Sequence, residues 1–434
     1  MTPRTRTKAW LLCASLVAVA ALCGTAVHAQ TTTAMDTSPV AGSAAATAGT
    51  LNLRQAFEAA WARQPEALAL QARRDAARAQ QSAAKTWTPE PAALELSNRT
   101  DRLGNNQGAR EMEVGITVPL WLPGERDRSA ALAEAEGAAI ESRATAAQLR
   151  VAATVRDAWW QWQRARIEVG TARDQLENTR RIAADVARRA KAGDLARSDQ
   201  HQADGAVASA EATVAQAEAG LAAAQQHLRA LAGAAPASSG AGDTLAEPDP
   251  GAAATELEAH AALLELKDRA TVAERTVALT AAQSRANPEL MLATTRDRGV
   301  RGEASQQSIT LAIRIPFGAG PRFDARRANA RADATEVQAQ LALERERLTA
   351  EREAARVRVD ASRTQLAAAE RRAQLARESR AFFDKSFQLG ETDLPTRLRI
   401  EAEAAEADRQ AARTRIELSA AISAWRQALG LLPQ

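Results

Sequence analysis

The chain has 434 residues, and its 56 Lys and Arg residues are nearly balanced by 53 Asp and Glu, giving a formal net charge of +3. Aromatic residues make up only 3% of the chain, which excludes a large conventional globular core. The balanced charge argues against a nucleic-acid-binding face, so we expect no nucleic acid as a partner. Much of the 46% hydrophobic content is Ala, the best helix former, which predicts long, closely packed helices.

The first 29 residues have the pattern of a secretory signal peptide. Three basic residues precede an apolar run over residues 9–22, and small residues around Ala29 offer a cleavage site. The run is too short for a stable transmembrane span. Both cysteines, Cys13 and Cys23, lie in this segment, each after a Leu that disfavours lipidation, so the exported chain should contain no disulfide or cysteine-bound metal. Residues 30–50 lack periodicity and are predicted to be disordered.

The rest of the chain is an internal duplication. Prolines and glycines recur at a constant offset of 197 residues. The matching pairs are Pro91 and Pro288, Pro119 and Pro316, Gly193 and Gly390, and Gly233 and Gly430. We therefore predict a first repeat over 51–233, a Pro/Gly/Ser-rich linker over 234–253, and a second repeat over 254–434.

Each repeat is predicted to contain a helix, two strands, a long helix and a return helix. The strands are expected at about 91–103 and 110–121, then at about 288–298 and 305–317, and the helical hairpins turn near 193 and 390. The initial helices are expected at about Leu51–Thr86 and Ala254–Ala286. From Pro119 to Gly193 is 74 residues, which as helix would span roughly 110 Å. The fold class is therefore mostly α with a small β part.

The second strand of each pair alternates apolar and polar residues, as a half-buried strand does. Such a strand suits a barrel with lipid outside and water inside. The alternation nominates four residues that face the barrel lumen: Glu113, Thr117, Thr310 and Arg314. The first strands are less regular, because Leu290 and Leu292 lie one position out of phase with Leu94 and Leu96.

Four strands cannot close a barrel, for which about eight is the practical minimum. An open sheet edge cannot face lipid, because each unpaired backbone group there costs several kcal/mol. The sequence therefore predicts an obligate oligomer whose subunits share one barrel.

The repeated strand-to-helix junctions and hairpin turns resemble those of the TolC-type outer-membrane efflux proteins. The junctions are Val118-Pro119-Leu120-Trp121 and Ile315-Pro316-Phe317-Gly318, and the turns are Gly193-Asp194-Leu195 and Gly390-Glu391-Thr392-Asp393-Leu394. The resemblance implies a homotrimer with a shared twelve-stranded β-barrel in the outer-membrane lipid and an α-helical barrel that extends through the periplasm. It also implies a passive efflux channel whose partners are a periplasmic adaptor and an inner-membrane pump of the RND type.

The two hairpin turns are, by the same resemblance, the candidate adaptor-docking tips: Gly193, Asp194, Leu195, Gly390, Glu391, Thr392, Asp393 and Leu394. The second turn is most similar to those of the branch that exports heavy-metal cations. Some members of the family close the tunnel with acidic residues shortly after this turn. Here Thr396, Arg397 and Arg399 occupy that stretch, so a constriction would carry arginines instead.

Aromatic residues near the strand ends, Trp87, Trp121 and Phe317, could form an interfacial girdle or simply pack at the junction. Trp159, Trp160 and Trp162 lie in the middle of a helix and are predicted to be core. No motif for a catalytic residue, a cofactor or a metal site is found. Two alternatives remain open, namely a periplasmic adaptor, which needs only one hairpin, and a coiled-coil scaffold, which does not account for the strands.

Overall fold

A computed structural model describes residues 52–104, 106–233, 246–250, 256–318 and 320–434. The predicted signal peptide at 1–29, the predicted disordered segment at 30–50 and most of the predicted linker lie outside these ranges. Within these ranges, no helix is long and apolar enough to cross a membrane.

The described residues confirm the duplicated unit, in which two strands are followed by a long helix and a return helix. The two long helices have 68 residues each, a length of about 100 Å. The elements in chain order are α1 (Leu53–Ala62), α2 (Pro65–Ala84), β1 (Ala93–Thr100), β2 (Arg110–Pro119), α3 (Glu125–Ala192), α4 (Arg197–Ala232), α5 (Ala261–Ala282), β3 (Glu289–Arg298), β4 (Gln306–Arg314), α6 (Pro321–Gln388) and α7 (Leu394–Ala428).

Two of the expected helices differ from the prediction. The single helix expected over 51–86 is two helices, because Pro65 has no N–H to continue α1 and instead occupies the first turn of α2. The helix expected from Ala254 to Ala286 is shorter. A 3₁₀ turn at Leu257–Ala259 precedes α5, whose first turn is capped by His260.

The helices pack side by side in a fixed order. Near the sheet the contacts run α2–α3–α5–α6, and near the hairpin turns they run α4–α3–α7–α6. In both stretches α3 is an inner helix, whereas α6 is an outer one. Consistent with this, α6 exposes several large apolar side chains, including Leu343, Leu375 and Phe382. The layer is four helices wide and has an open edge on each side.

The main core lies where α1, α3, α4 and α7 meet. Trp159, Trp160 and Trp162 are at most 5% exposed, and Trp159 packs against Trp162 with ring centroids 5.0 Å apart. This confirms their predicted core role. Much of the remaining buried surface is Ala, which lets the helix backbones approach closely.

The strands form one antiparallel sheet in the order β1-β2-β3-β4, so β1 and β4 are its edges. Leu94 pairs with Ile116, Ile116 with Leu292, and Leu292 with Leu311. The phase difference noted in the sequence is therefore a register shift. Ile116 and Ile313 occupy equivalent positions in the two repeats, but their partners across the strands, Leu94 and Leu290, do not. Because of this shift, the leucines of β1 and β3 lie on the same face of the sheet.

Candidate functional site

One face of the sheet, here the apolar face, is formed by the even-numbered positions of β1, β2 and β3 and the odd-numbered positions of β4. Away from the hairpin loops, most of its side chains are large, apolar and exposed, with Leu311 72% exposed and Ile309 78% exposed. Its members away from the loop end of the sheet are Leu94, Leu96, Met112, Val114, Ile116, Val118, Leu290, Leu292, Thr294, Ile309, Leu311 and Ile313, and toward the loops it also carries Asn98, Thr100, Arg110, Arg296, Arg298 and Gln307. An exposed apolar surface of this extent is an interaction surface rather than an ordinary solvent-facing one.

The opposite face of the sheet, here the polar face, carries all four lumen candidates, Glu113, Thr117, Thr310 and Arg314. The Thr117 hydroxyl donates to Glu95 Oε1 over 3.1 Å. The Arg314 guanidinium lies 3.5 Å from the Glu289 carboxylate, the residue opposite it.

The polar face carries more acidic than basic side chains. It holds five carboxylates and two guanidiniums, so its net charge is negative. These residues are Glu95, Glu111, Glu113, Glu289, Asp297, Arg99 and Arg314. A pore lined by this face would favour cations.

Two of the three strand-end aromatics are almost fully exposed. Trp87 and Phe317 are each 92% exposed, whereas the indole N–H of Trp121 donates to the Thr86 carbonyl over 3.2 Å. Exposed aromatic rings beside an apolar sheet face are typical of a membrane interface. Trp121 instead packs at the junction between sheet and helix.

The same junction contains a residue that the sequence reasoning missed, Glu125 at the start of α3. Its buried carboxylate accepts hydrogen bonds from the Leu122 N–H, the Gln283 amide and the Asn287 amide, at 2.8 to 3.0 Å. It therefore ties the end of β2 to the chain that enters β3. The sequence does contain a pattern that indicates its position. Glu125 directly follows Pro123 and Gly124, and a carboxylate in the first turn of a helix is favourable.

Both hairpin turns end the long helix with a left-handed glycine. Gly193 has φ 92° and Gly390 has φ 80°. In each turn the glycine N–H bonds to a carbonyl three residues back, and the next N–H bonds five residues back, as in a Schellman motif. Only glycine adopts this backbone without strain.

The tip residues differ in exposure. Gly193, Asp194, Gly390, Glu391 and Asp393 are exposed, and Asp393 also caps α7 by accepting from the Thr396 N–H over 3.2 Å. Hydrogen bonding to Thr396 holds the pKa of Asp393 below its usual value.

The other three tip residues are less accessible. Leu394 is 2% exposed and packs with Phe387 and the partly buried Leu195. The Thr392 hydroxyl lies 2.6 Å from the Ser386 hydroxyl. The side chain of Leu394 thus holds the hairpin together and is not offered to a partner.

Of the constriction candidates, Arg397 forms ion pairs within the chain. Its guanidinium contacts Asp384 at 2.5 Å and Asp185 of the neighbouring hairpin at 3.7 Å. It also lies 4.5 Å from the Phe387 ring, whose centroid is 4.9 Å from the guanidinium of Arg189. Buried Phe387 therefore lies between two cations, one from each hairpin.

Arg399 and Thr396 are more accessible. The Arg399 side chain is 60% exposed and contacts Glu403 one turn later, and Thr396 is half-buried. Sequence spacing alone could not separate Arg397 from Arg399, because the environment of Arg397 depends partly on Asp185 of α3, which is distant in sequence.

Glu401 lies deeper in the same interface between the hairpins. It is 8% exposed and accepts from Asn178 and, over 3.4 Å, from Arg380. Burial raises its pKa above its usual value, against the opposing influence of Arg380 and Arg397, and nearby Asp384 adds to the increase.

We expect Glu401→Gln to stabilise the protein at neutral pH and to have no effect in acid. Between the usual pKa near 4.5 and the raised value, the folded state binds a proton that the unfolded state does not, so stability falls as pH rises through this window. Thermal unfolding followed by circular dichroism at about pH 4 and pH 8 measures the difference. Exposed Glu403→Gln serves as the control, and an equal shift at both pH values would contradict the expectation.

The predicted linker contains a second group of residues that the sequence did not reveal. Glu247 is 4% exposed and forms a bidentate ion pair with Arg156 of α3, with N–O distances of 2.7 and 2.9 Å. It also contacts Arg426 of α7 at 3.3 Å and accepts from Ser423. The described part of the linker is thus anchored to both hairpins.

The comparisons with known proteins agree with this geometry. Residues 56–234, less than half of the chain, match the family model described as outer membrane efflux protein. A search of the curated proteins returns no match.

Solved structures match over most of the chain. The outer membrane protein VceC of Vibrio cholerae is 18% identical with a TM-score of 0.69, and the match covers 87% of this chain and 96% of VceC. The chain has the fold of an outer-membrane efflux channel. CusC, whose structures concern transmembrane channel formation, is 15% identical over 88% of this chain and 93% of CusC, with a TM-score of 0.73.

The open state of the outer membrane channel MtrE of Neisseria gonorrhoeae has the same channel fold. It is 15% identical over 88% of this chain and 89% of MtrE, with a TM-score of 0.70. The resemblance to the TolC-type efflux proteins is therefore confirmed by fold over most of the chain, and by sequence over residues 56–234.

Proposed function

We propose that this protein is the outer-membrane channel subunit of a tripartite efflux system, a passive exit duct for substrates that a pump delivers. The observation that carries the proposal is the sheet. It presents an exposed apolar face and a polar, net negative face, and among the described residues the outer edges of β1 and β4 have no partner strand. Those properties suit a segment of a transmembrane barrel.

A homotrimer would satisfy both open edges. Closing four-stranded sheets edge to edge removes the unpaired backbone groups, and three copies supply twelve strands, more than the practical minimum for a barrel. The same rotation would set α6 of one copy, with its exposed apolar residues, against α2 and α4 of the next. The helices would then continue as a tunnel into the periplasm.

The hairpin tips are the proposed adaptor-docking surface. Asp194, Glu391 and Asp393 offer exposed carboxylates beside the two left-handed glycines, while Leu195, Thr392 and Leu394 support the turns from within. The proposed partners are a periplasmic adaptor and an inner-membrane pump of the RND type. Heavy-metal cations are the proposed cargo, and the net negative charge of the polar face supports cation passage.

A constriction near Thr396, Arg397 and Arg399 is part of the proposal, with Arg399 as the side chain that faces the tunnel. Arg399→Ala should raise single-channel conductance and cation preference, because it removes three exposed positive charges from the trimer. Arg397→Ala should leave conductance nearly unchanged but lower stability by about 1–3 kcal/mol, since it removes a largely buried guanidinium, its charge-assisted hydrogen bond to Asp384 and its contact with the Phe387 ring. Planar-bilayer recordings and denaturant unfolding of both variants test these expectations. Unchanged conductance in Arg399→Ala would refute a constriction at this position.

The adaptor alternative is disfavoured because both the hairpin and the strand pair are duplicated and the four strands form one sheet. A coiled-coil scaffold would not need the apolar face. The proposal is tested by planar-bilayer conductance of the detergent-purified protein. Stable, cation-preferring single-channel steps are expected, and a protein that never inserts into bilayers would overturn it.

A further inference from the structure

Three arginines lie on the apolar face at the end of the sheet that bears the hairpin loops. Arg110 is the first residue of β2, and Arg298 is the last residue of β3. These two are directly paired across the strands, and Arg296 lies two residues before Arg298 in β3, on the same face. Arg110 and Arg296 are exposed, and Arg298 is half-buried.

The strand positions around these arginines on the apolar face carry no carboxylate, since none of the apolar-face positions in β1 to β4 is Asp or Glu. In contrast, Arg99 and Arg314 on the polar face lie 3.8 and 3.5 Å from carboxylates. In the part of the chain that the structure describes, none of the three arginines forms an ion pair, although Arg298 Nε donates to the Gly108 carbonyl over 3.3 Å.

The arrangement of Arg110 opposite Arg298 is unfavourable without a counterion. Directly opposed residues on neighbouring antiparallel strands have Cβ atoms roughly 5 Å apart, and like charges there repel. An anion held between the two guanidiniums would remove that repulsion. Phosphate fits best, because guanidinium binds phosphate through two parallel hydrogen bonds.

The position along the strand indicates where that phosphate would come from. Arg110 is eight residues from Val118 along β2, roughly 27 Å for an extended strand. With a tilt of roughly 40°, this corresponds to a height of about 20 Å, close to the thickness of the apolar band of an outer-membrane barrel. The arginines thus lie at the level of the lipid headgroups, at the end of the sheet opposite exposed Phe317. The apolar side chains between these two ends would contact the acyl chains.

We propose that Arg110, Arg296 and Arg298 form a binding surface for the phosphate groups of a phosphorylated glycolipid in the outer leaflet. The inference rests on the proposed function, since it requires the apolar face to lie in a membrane. The guanidiniums bind the headgroup phosphates, and Leu96, Ile309 and their neighbours contact the acyl chains.

The test is lipid binding by the full-length, detergent-purified oligomer, with bisphosphorylated lipid A as the probe and native mass spectrometry as the readout. Each arginine removed near an anionic headgroup should weaken affinity about fivefold. The triple variant Arg110→Gln, Arg296→Gln, Arg298→Gln should therefore lose at least tenfold in affinity. The matched control, Arg99→Gln with Arg314→Gln on the polar face, should bind as the natural sequence does.

Equal lipid A affinity in the triple variant and the natural sequence would overturn the proposal. So would equal binding of lipid A and phosphatidylethanolamine by the natural sequence. If the triple variant does not assemble, the single Arg110→Gln variant, expected to lose about fivefold, decides in its place.

Conductance in phosphatidylcholine bilayers separates this inference from the proposed function. A protein that conducts normally but whose variants bind lipid A unchanged would refute only the lipid surface. A protein that neither oligomerises nor conducts would refute the channel itself.

Discussion

Replacing Glu247 by Ala should lower the free energy of unfolding by about 3–5 kcal/mol, one of the two largest effects expected in this protein. The carboxylate is buried between Arg156 and Arg426, whose side chains are 3% and 4% exposed. Its removal leaves two buried guanidiniums without a counter-charge. Denaturant unfolding of the detergent-purified protein, followed by circular dichroism, measures the loss.

Asp249 provides the matched control two residues later. Its ion pair with Arg363 is about half exposed, so Asp249→Asn should cost no more than about 1 kcal/mol. If Glu247→Ala fails to fold, the triple variant Arg156→Met, Glu247→Leu, Arg426→Met replaces the whole buried group with apolar side chains. It should recover most of the stability, because such replacements are often neutral. A triple variant as unstable as the single one would show that charge pairing is not the cause.

Replacing Leu311 by Lys should abolish assembly in the outer membrane. Leu311 lies in the middle row of the apolar face, beside Leu292, and a lysine at the middle of the membrane costs about 2–4 kcal/mol in each copy. The three copies of a trimer would add these costs. Loss of heat-modifiable oligomer from the outer-membrane fraction is the expected result.

The adjacent residue supplies the control, because neighbouring positions in a strand point to opposite faces. Thr310→Lys puts the same charge on the polar face, opposite Ala293, and should assemble normally. If both variants assemble, or if both fail, the apolar face does not contact lipid.

Much of the architecture could be predicted because the pattern is local and repeated. The offset of 197 residues fixed the order of the elements, and alternation placed Glu113, Thr117, Thr310 and Arg314 on one face, where the structure has them. The register shift between the two hairpins could not be predicted. It depends on which residues pair across strands, and a slip of one position changes the face of every side chain.

The interface between the hairpins was harder to predict for a similar reason. Arg397 and Arg399 lie two residues apart shortly after the tip, but only Arg397 reaches Asp384 and Asp185. The family resemblance places Leu394 among the docking residues, yet it is buried in a cluster with Phe387 and with Val186 of α3. Contacts of α3 with α6 and α7 join residues about 200 positions apart, and no local pattern encodes them.

The central claim is that one chain supplies only part of a membrane channel. Fractionation of the expressing cell, followed by the mass of the detergent-extracted complex, tests it most directly. We predict an outer-membrane complex with the mass of three chains, because only a shared barrel satisfies the edges of β1 and β4. A monomer recovered without detergent from the periplasmic fraction would contradict the account.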